Sequence, residues 1–169
     1  PVCRFNWQNF FADKFREIGR LIRSHEMRIS MHPDQFILLN SPDMMVTERS
    51  VKELEYHSQV LDLLGLDHSA KIQLHLGGVY GDREESLRRF VRRYATLEGS
   101  IRERLVIEND ERNYSLRDCL QVHGESGVPV LFDVFHHWGK NHGESVSEAF
   151  SGFTGTWQVF DGLPMVDYS

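Results

Sequence analysis

Residues 71–78 read Lys-Ile-Gln-Leu-His-Leu-Gly-Gly, and this stretch decides the fold class of the chain. Its short apolar run predicts a buried strand, and the two glycines end that strand. Asp82 is then placed to cap a helix that we predict to run through Leu97. A strand followed directly by a helix is one βα unit, and such units repeat in proteins with a parallel sheet.

The same unit recurs before and after this stretch. Four more apolar runs predict strands at 27–31, 105–108, 128–134 and 164–168. Predicted helices lie at 7–25, 42–64, 115–123 and 146–150, with Ser41 as N-cap of the helix at 42–64 and a capping box of Ser115 and Asp118 at 115–123. We therefore predict an α/β fold with a parallel sheet, open or closed.

Each predicted strand ends in an ionisable residue. These residues are separated by 43, 33, 25 and 34 positions, which suits one βα unit each: His32, His75, Glu108, Asp133 and Asp167. In a closed parallel barrel, the carboxyl ends of all strands point to the face that carries the active site. The pattern therefore favours a closed parallel barrel in which five ionisable side chains converge.

Any one of these residues would prove little, since a strand-end His is usually just hydrogen-bonded and an Asp often caps the next helix. The set is informative because a buried charge is costly unless it is paired or coordinated. Imidazole and carboxylate ligands without thiolate suit Zn, Mn or a similar divalent ion, and the residues leave that choice open.

The pair Asp133-x-x-His136 strengthens the metal hypothesis, because a carboxylate and an imidazole three residues apart can hold one ion or bridge two. The neighbouring His137 is interpreted as a support for a ligand or as a surface group. His142 stays open. Four other histidines are interpreted as ordinary solvated side chains: His25, His57, His68 and His123.

Composition narrows the class of protein. The 169 residues carry a net charge of -6 and 40% apolar side chains, which excludes a disordered chain and a polycation that coats DNA or a membrane. Because there is neither a run of about 18 apolar residues nor a signal-peptide pattern, we expect a soluble, intracellular protein without a membrane partner. Cys3 and Cys119 are too few and too far apart for a disulfide framework or a thiolate metal site. Since the chain begins at Pro1, we expect it to be part of a longer protein.

Five segments carry a resemblance to a known family. They are Arg28-Ile-Ser-Met-His-Pro-Asp-Gln-Phe36, Leu74-His-Leu-Gly-Gly78 with Tyr80-Gly81, Leu105-Val-Ile-Glu-Asn-Asp-Glu-Arg112, Phe132-Asp-Val-Phe-His-His137 and Gly162-Leu-Pro-Met-Val-Asp-Tyr-Ser169. In this order and spacing they resemble the UV damage endonucleases of the UvdE type. The resemblance implies that residues 1–169 form a single partial TIM-barrel catalytic domain with strands three to seven, lacking the first two strands and the last.

The resemblance also implies a divalent-metal-dependent endonuclease that hydrolyses a DNA phosphodiester 5′ to UV photoproducts and other distorting lesions, which initiates excision repair. Its partner would be damaged double-stranded DNA, with no obligate protein partner, in the cytoplasm and nucleoid or in a nucleus. Up to three ions, Mn or else Zn or Mg, would be bound by metal ligands at His32, His75, Glu108, Asp133, His136 and Asp167. Glu108, His75 and Asp133 would carry the catalysis. Many relatives have His at position 167, and relatives can have Lys at the position of Met165.

Gln35 and Phe36 follow the strand that ends in His32, and the resemblance makes this pair a probe that wedges into the duplex at a lesion. A damaged base stacks poorly, so opening the duplex there costs less and selects lesions without reading sequence. The alternative is that Phe36 packs inside a buried loop. Three further side chains on the same face are candidates for phosphate contacts: Arg112, Lys140 and Asn141.

Two other functions stay open. Related barrels with His, Glu and Asp at the strand ends are sugar isomerases or epimerases, although that chemistry gives no role to Gln35 and Phe36. Residues 1–169 alone are also expected to be a catalytically incomplete piece with little or no nuclease activity, since an open barrel exposes sheet edges and lacks ligands.

Overall fold

The structure is a computed structural model that describes residues 5–168. The strands are β1 (Ser30–Met31), β2 (Lys71–His75), β3 (Leu105–Glu108), β4 (Val130–Asp133) and β5 (Val166–Asp167). Each strand pairs in parallel with the next strand along the chain. The helices are α1 (Trp7–Ser24), α2 (Met44–Leu63), α3 (Arg83–Thr96), α4 (Gly99–Arg102), α5 (Leu116–Ser126), α6 (Val134–Gly139) and α7 (Val146–Thr154). The predicted α/β fold is confirmed, and it is a partial TIM barrel.

Contacts between strands that are not neighbours show that the sheet curls as a barrel wall does. Neighbouring strands are about 4.8 Å apart, so β2 and β5 would be separated by about 14 Å in a flat sheet. Instead, Nε2 of Gln73 on β2 donates to Oδ2 of Asp167 on β5 at 3.3 Å. At the amino ends of the strands, Arg28 donates to the backbone oxygen of Asp161 at 2.8 Å. The carboxyl ends of the five strands therefore surround one mouth.

The middle of the sheet is buried on both faces, because helices cover one face and the other faces the barrel interior. On β2 and β3, Ile72, Leu74, Val106 and Ile107 are all at most 3% exposed. The covering helices contribute further fully buried side chains: Leu54, Leu61, Phe90, Val122 and Phe153. This packing holds the strand ends in place.

Helix starts follow local capping chemistry, with one correction. Ser115 and Asp118 form the predicted capping box of α5, and Asp82 caps α3 as predicted. The N-cap of α2 is Asp43, whose carboxylate accepts a backbone N–H of the first turn at 2.8 Å. Ser41 instead accepts the N–H of Asp43 through its hydroxyl, so the prediction of Ser41 as the cap is wrong.

Several elements differ in length from the prediction. β1 and β5 comprise two residues each, where longer runs were predicted at 27–31 and 164–168. α5 and α7 extend beyond their predicted ends, to Ser126 and Thr154. α4 lies in the short segment between Leu97 and Leu105, for which the sequence predicts no element, and a 3-10 helix at Val159–Asp161 lies between the predicted helix at 146–150 and the predicted strand at 164–168.

The short helix α6 replaces the predicted end of the fourth strand. The prediction extended this strand to Val134, but the carboxylate of Asp133 accepts the N–H of His136 at 2.6 Å and caps a helix that begins at Val134. A β-branched residue such as Val134 after an apolar run predicts that the strand continues. The cap at Asp133 instead ends the strand one residue earlier and starts the helix.

A buried ion pair closes the opposite end of the barrel. Nζ of Lys71 lies 2.5 Å from Oδ1 of Asp161, and both side chains are at most 3% exposed. Burial lowers the pKa of Lys71, against the opposing effect of Asp161. Arg28 donates to the backbone oxygen of Ser69 at 2.8 Å, and its guanidinium lies 5.1 Å from the ring centre of Trp157. These contacts join the start of β2 to the segment before β5.

Within residues 5–168, no helix has the length and apolar character needed to cross a membrane. Cys119 is a free, buried thiol, and burial raises its pKa well above the usual value. The other cysteine considered in the sequence, Cys3, lies outside the described residues.

Candidate metal centre

Two groups of imidazole and carboxylate side chains meet at the mouth formed by the strand ends. In the first group, His32, His75 and Glu108 offer ligand atoms that lie within 4.8 Å of one another. Nε2 of His32 lies 3.5 Å, and Nε2 of His75 lies 4.0 Å, from Oε2 of Glu108. Strand register explains this contact, because His75 and Glu108 are directly opposite on β2 and β3, and His32 follows β1.

The second group consists of Glu108, Asp133 and His136, whose ligand atoms also lie within 4.8 Å of one another. Asp133 is fully buried at the end of β4 and caps α6, which places the imidazole of His136 one helical turn away from the carboxylate. A strand-end Asp was expected either to cap a helix or to join a ligand set, and Asp133 is positioned for both. Glu108 belongs to both groups and connects them.

The burial of Glu108, and the lack of a hydrogen-bond partner for its Oε2 within residues 5–168, indicate whether this site fits a divalent cation. The residue is 2% exposed, and its Oε2 has no hydrogen-bond partner among the described residues. Leaving a buried carboxylate oxygen unsatisfied is costly, and a cation between this oxygen and the two imidazoles would remove the cost. The donor set of both groups is imidazole and carboxylate without thiolate. These residues therefore fit a divalent ion that prefers nitrogen and oxygen ligands.

His32 is held in an orientation that suits a ligand. Its Nδ1 lies 2.8 Å from the backbone oxygen of Pro33, which directs Nε2 towards Glu108. Contact with Glu108 raises the pKa of His32 against the opposing effect of burial, and the Pro33 carbonyl and the charge of Asp167 raise it further. A histidine whose outer nitrogen is hydrogen-bonded presents its other nitrogen in a fixed tautomer.

Two buried amides support the site, and neither was found from the sequence. Asn109 is fully buried, donates to the backbone oxygen of Asp133 at 2.9 Å and accepts the N–H of Asp133 at 3.0 Å. Gln73, which is 6% exposed, accepts from the hydroxyl of Ser30 at 2.5 Å and donates to Asp167 at 3.3 Å. Both lie within two positions of a predicted ligand, which is the one sequence feature that points to them.

Asp167 lies at the same mouth but outside both ligand groups. It is opposite Asp133 in the register of β4 and β5, and its Oδ2 accepts the hydrogen bond from Gln73. The identification of Asp167 as a metal ligand therefore stays a prediction. Met165 is partly buried and packs against the hydrophobic core.

Gln35 and Phe36 lie on an exposed turn in the loop that follows His32. Phe36 is 70% exposed, so the alternative that it packs inside a buried loop is wrong. The N–H of Phe36 donates to the carboxylate of Asp34 at 3.1 Å, which holds the turn. An aromatic ring is thus presented to solvent beside the first ligand group.

The remaining histidines fall into two classes. His25, His68 and His142 are exposed, and His123 is half-buried. His57 is 9% exposed and its Nδ1 lies 2.8 Å from a backbone oxygen, so its interpretation as a solvated side chain is wrong. His137 is 1% exposed, so its interpretation as a surface group is wrong, and its Nε2 lies 3.0 Å from the backbone oxygen of Glu144.

The three candidate phosphate-contacting side chains differ in how exposed they are and in whether they already form a hydrogen bond. Arg112 and Asn141 are exposed. Lys140 is half-buried, and its Nζ donates to the backbone oxygen of Arg112 at 3.0 Å. Of the three, Arg112 is the cation most accessible to a phosphate.

Comparison with known proteins identifies the family of this chain. The family model described as UV-endonuclease UvdE matches residues 1–169. The chain belongs to the UvdE family. This UvdE-family chain is 42% identical over 171 residues to the UV DNA damage endonuclease of Clostridium perfringens, with 99% of this chain and 41% of that protein covered. It is similar to the crystal structure of SacUVDE with a TM-score of 0.94 and 41% identity, covering 100% of this chain and 57% of that chain.

A third neighbour shares the fold of the UvdE-family chain at low identity. D-psicose 3-epimerase from Clostridium cellulolyticum H10 matches with a TM-score of 0.66 and 13% identity, covering 86% of this chain and 55% of that chain. This likeness concerns the fold alone. The UvdE-family chain spans about half the length of the relatives it matches.

Proposed function

We propose that the protein carrying this chain is a divalent-metal-dependent endonuclease that hydrolyses a DNA phosphodiester 5′ to UV photoproducts and other distorting lesions. The observation that carries the proposal is the pair of ligand groups joined by Glu108, whose buried Oε2 faces the imidazoles of His32 and His75. Membership of the UvdE family supports the endonuclease reaction and DNA as its substrate.

The described residues are assigned to two cation positions. His32, His75 and Glu108 would hold one ion, and Glu108, Asp133 and His136 a second, with Glu108 as the bridge. Bound divalent ions would activate water and offset the negative charge that develops on the phosphate. We propose Mn, with Zn or Mg as alternatives, and up to three ions in the complete protein.

The chain itself contributes orientation. Parallel pairing of β2 with β3 places His75 and Glu108 side by side, and the Asn109 amide fixes the backbone of Asp133 from both its N–H and its carbonyl. A formal net charge of -6 is unfavourable for a polyanionic substrate unless cations occupy the mouth. Bound divalent ions would offset this charge locally, where the scissile phosphate enters the mouth.

Lesion recognition is assigned to Gln35 and Phe36. The exposed ring of Phe36 is suited to insertion between base steps, and the amide of Gln35 is suited to replace lost base-pair hydrogen bonds. Because damaged bases stack poorly, this insertion costs least at a lesion.

The test uses the full-length protein and an end-labelled duplex with one UV photoproduct. We expect a nick on the 5′ side of the lesion that requires a divalent ion and disappears with a chelator. Glu108→Gln should abolish nicking while DNA binding is largely retained, and Gln35→Ala with Phe36→Ala should reduce the preference for damaged DNA without changing metal content. Glu125→Gln, an exposed carboxylate at the end of α5, is the charge-matched control.

Three results would contradict the proposal. Equal nicking of undamaged DNA would contradict lesion specificity, and nicking that persists without metal would contradict the assigned chemistry. Efficient conversion of an aldose to a ketose by the same protein would favour the isomerase class, which uses the same fold. Nicking by residues 1–169 alone would show that the rest of the protein is dispensable.

A further inference from the structure

Glu111 contacts His136 from outside the two ligand groups. Oε2 of Glu111 lies 2.9 Å from Nδ1 of His136, and the two side chains are 37% and 18% exposed. This distance is in the range of a charge-assisted hydrogen bond. The groups are not aligned for a straight bond, so Nδ1 of His136 has no formed hydrogen bond among the described residues. The distance already permits the bond, so its formation requires a change of angle and not of separation.

Gly139 allows Glu111 to come this close. A Cβ placed on Gly139, the last residue of α6, would lie 2.9 Å from Cβ of Glu111. Protein carbon atoms do not approach that closely, and because Cβ of Glu111 is attached directly to the backbone, the loop after β3 would have to move. A side chain on Gly139 would therefore displace the carboxylate from His136.

One further contact joins the same two segments, and another orients Glu111 within its own loop. Lys140, directly after α6, donates to the backbone oxygen of Arg112 at 3.0 Å. The side chain of Arg112 donates to Oε1 of the neighbouring Glu111 at 3.1 Å. This arrangement orients one oxygen of Glu111 towards Arg112 and the other towards the imidazole.

We propose that Glu111 is a positioning residue for the metal centre: it accepts the Nδ1–H of His136 and so presents Nε2 of His136 to the ion. The inference rests on the metal centre of the proposed function. Ligand histidines commonly donate their outer N–H to a carboxylate, which fixes the tautomer and raises ligand basicity. Losing such a partner typically lowers metal affinity by about 10- to 100-fold.

The first measurement is the affinity of the full-length protein for Mn²⁺ and Zn²⁺ by competition calorimetry. Glu111→Gln should weaken one binding step by about 10- to 100-fold, while the melting temperature of the metal-free protein stays unchanged. Glu125→Gln removes the same charge at a distant exposed position and should leave affinity unchanged. Because the amide oxygen of Gln can still accept the Nδ1–H, Glu111→Ala removes the acceptor completely, and equal affinities of wild type and Glu111→Ala would overturn the inference.

The second measurement moves the carboxylate without removing it. Gly139→Ala should weaken the same binding step as Glu111→Gln, because it separates the same two groups. The double variant should be no weaker than the weaker single variant, since both changes act through one contact. Fully additive losses would show that Gly139 acts on the fold and not through Glu111.

The third measurement reads the tautomer directly. In the Zn²⁺-loaded protein, ¹⁵N NMR of His136, assigned with His136→Ala, should show a protonated Nδ1 and a metal-bound Nε2. In Glu111→Ala, which removes the acceptor, this preference should be lost. Coordination through Nδ1 in wild type would overturn the inference alone, whereas failure of wild type to bind either metal would overturn the proposed function as well.

Discussion

Replacing Glu108 by Gln should change stability in opposite directions without and with metal. Without metal, the carboxylate is 2% exposed and its Oε2 has no hydrogen-bond partner among the described residues. A buried unsatisfied group of this kind costs about 1–3 kcal/mol. The opposing loss is the contact with His32, whose side chain is 42% exposed, and such a pair is worth at most about 1 kcal/mol. The metal-free variant should therefore be more stable by about 0–3 kcal/mol.

With saturating metal the sign reverses. An ion at about 100 times its dissociation constant stabilises the wild type by about 2.7 kcal/mol per site. Glu108 belongs to both ligand groups, so the variant should lose most of this stabilisation at both. In a domain of about 150–250 residues, 1 kcal/mol corresponds to roughly 2–4 °C in melting temperature.

Scanning calorimetry of the full-length protein, metal-free and with Mn²⁺, measures both effects. Glu125→Gln should follow the wild type in both conditions. A metal-free Glu108→Gln protein that unfolds below the wild type would refute the buried, unsatisfied carboxylate. A metal-induced rise in melting temperature that survives in the variant would refute the bridging position of Glu108.

Three further changes test other parts of the molecule. Phe36→Ala should lower the ratio of nicking on damaged DNA to nicking on undamaged DNA by roughly 5- to 150-fold, since one stacked base contributes about 1–3 kcal/mol. If gel assays show an unchanged ratio, Phe36 does not act as a probe. Lys71→Met or Asp161→Asn alone should lower the free energy of unfolding in urea by about 3–5 kcal/mol, because each leaves a buried unpaired charge. The double variant should lose less than either single variant. A double variant whose loss equals the sum of the two single losses would contradict this explanation. Burial raises the pKa of Asp118, but its hydrogen bonds, chiefly with Arg83, outweigh burial and lower the pKa below 3.8. The ionised carboxylate therefore contributes to the free energy of unfolding above pH 3.8, and this contribution should be lost as the pH falls through the folded-state pKa. Arg83→Gln should reduce this acid-dependent part of the unfolding free energy, and an unaltered pH dependence would exclude the pair as its source.

The strand ends could be predicted from the sequence because two local properties coincide there. Apolar runs such as the one around Leu74 must be buried, and an ionisable residue directly after them can lie only at an end of the sheet. Parallel strands bring those ends to one face, and the sequence therefore predicts that Glu108 and His75 meet. Their direct register on β2 and β3 agrees with that expectation.

Contacts between distant loops could not be predicted in the same way. Nothing in the sequence pairs Glu111 with Gly139, because their proximity depends on how α6 leaves β4. The start of α6 was not predicted, because Val134 continues an apolar run that is typical of a strand. Asp133, which caps α6, is also the residue expected at the end of that strand, so the sequence does not reveal its role as a cap. The position of Asp167 at the mouth was predicted correctly, but this position alone does not determine its role. A carboxylate there can bind a cation or accept a hydrogen bond from Gln73.

Asp133 caps α6 and is also proposed as a metal ligand, and these two roles together restrict which amino acids this position can accept. Asp, Asn, Ser and Thr are the side chains that cap a helix well, and among these only Asp carries a carboxylate. Glu would keep the charge, but its extra methylene moves the oxygen away from the N–H of His136. A saturation library at position 133 should therefore contain a single fully active member, whereas solvent-facing positions of α6 should tolerate many.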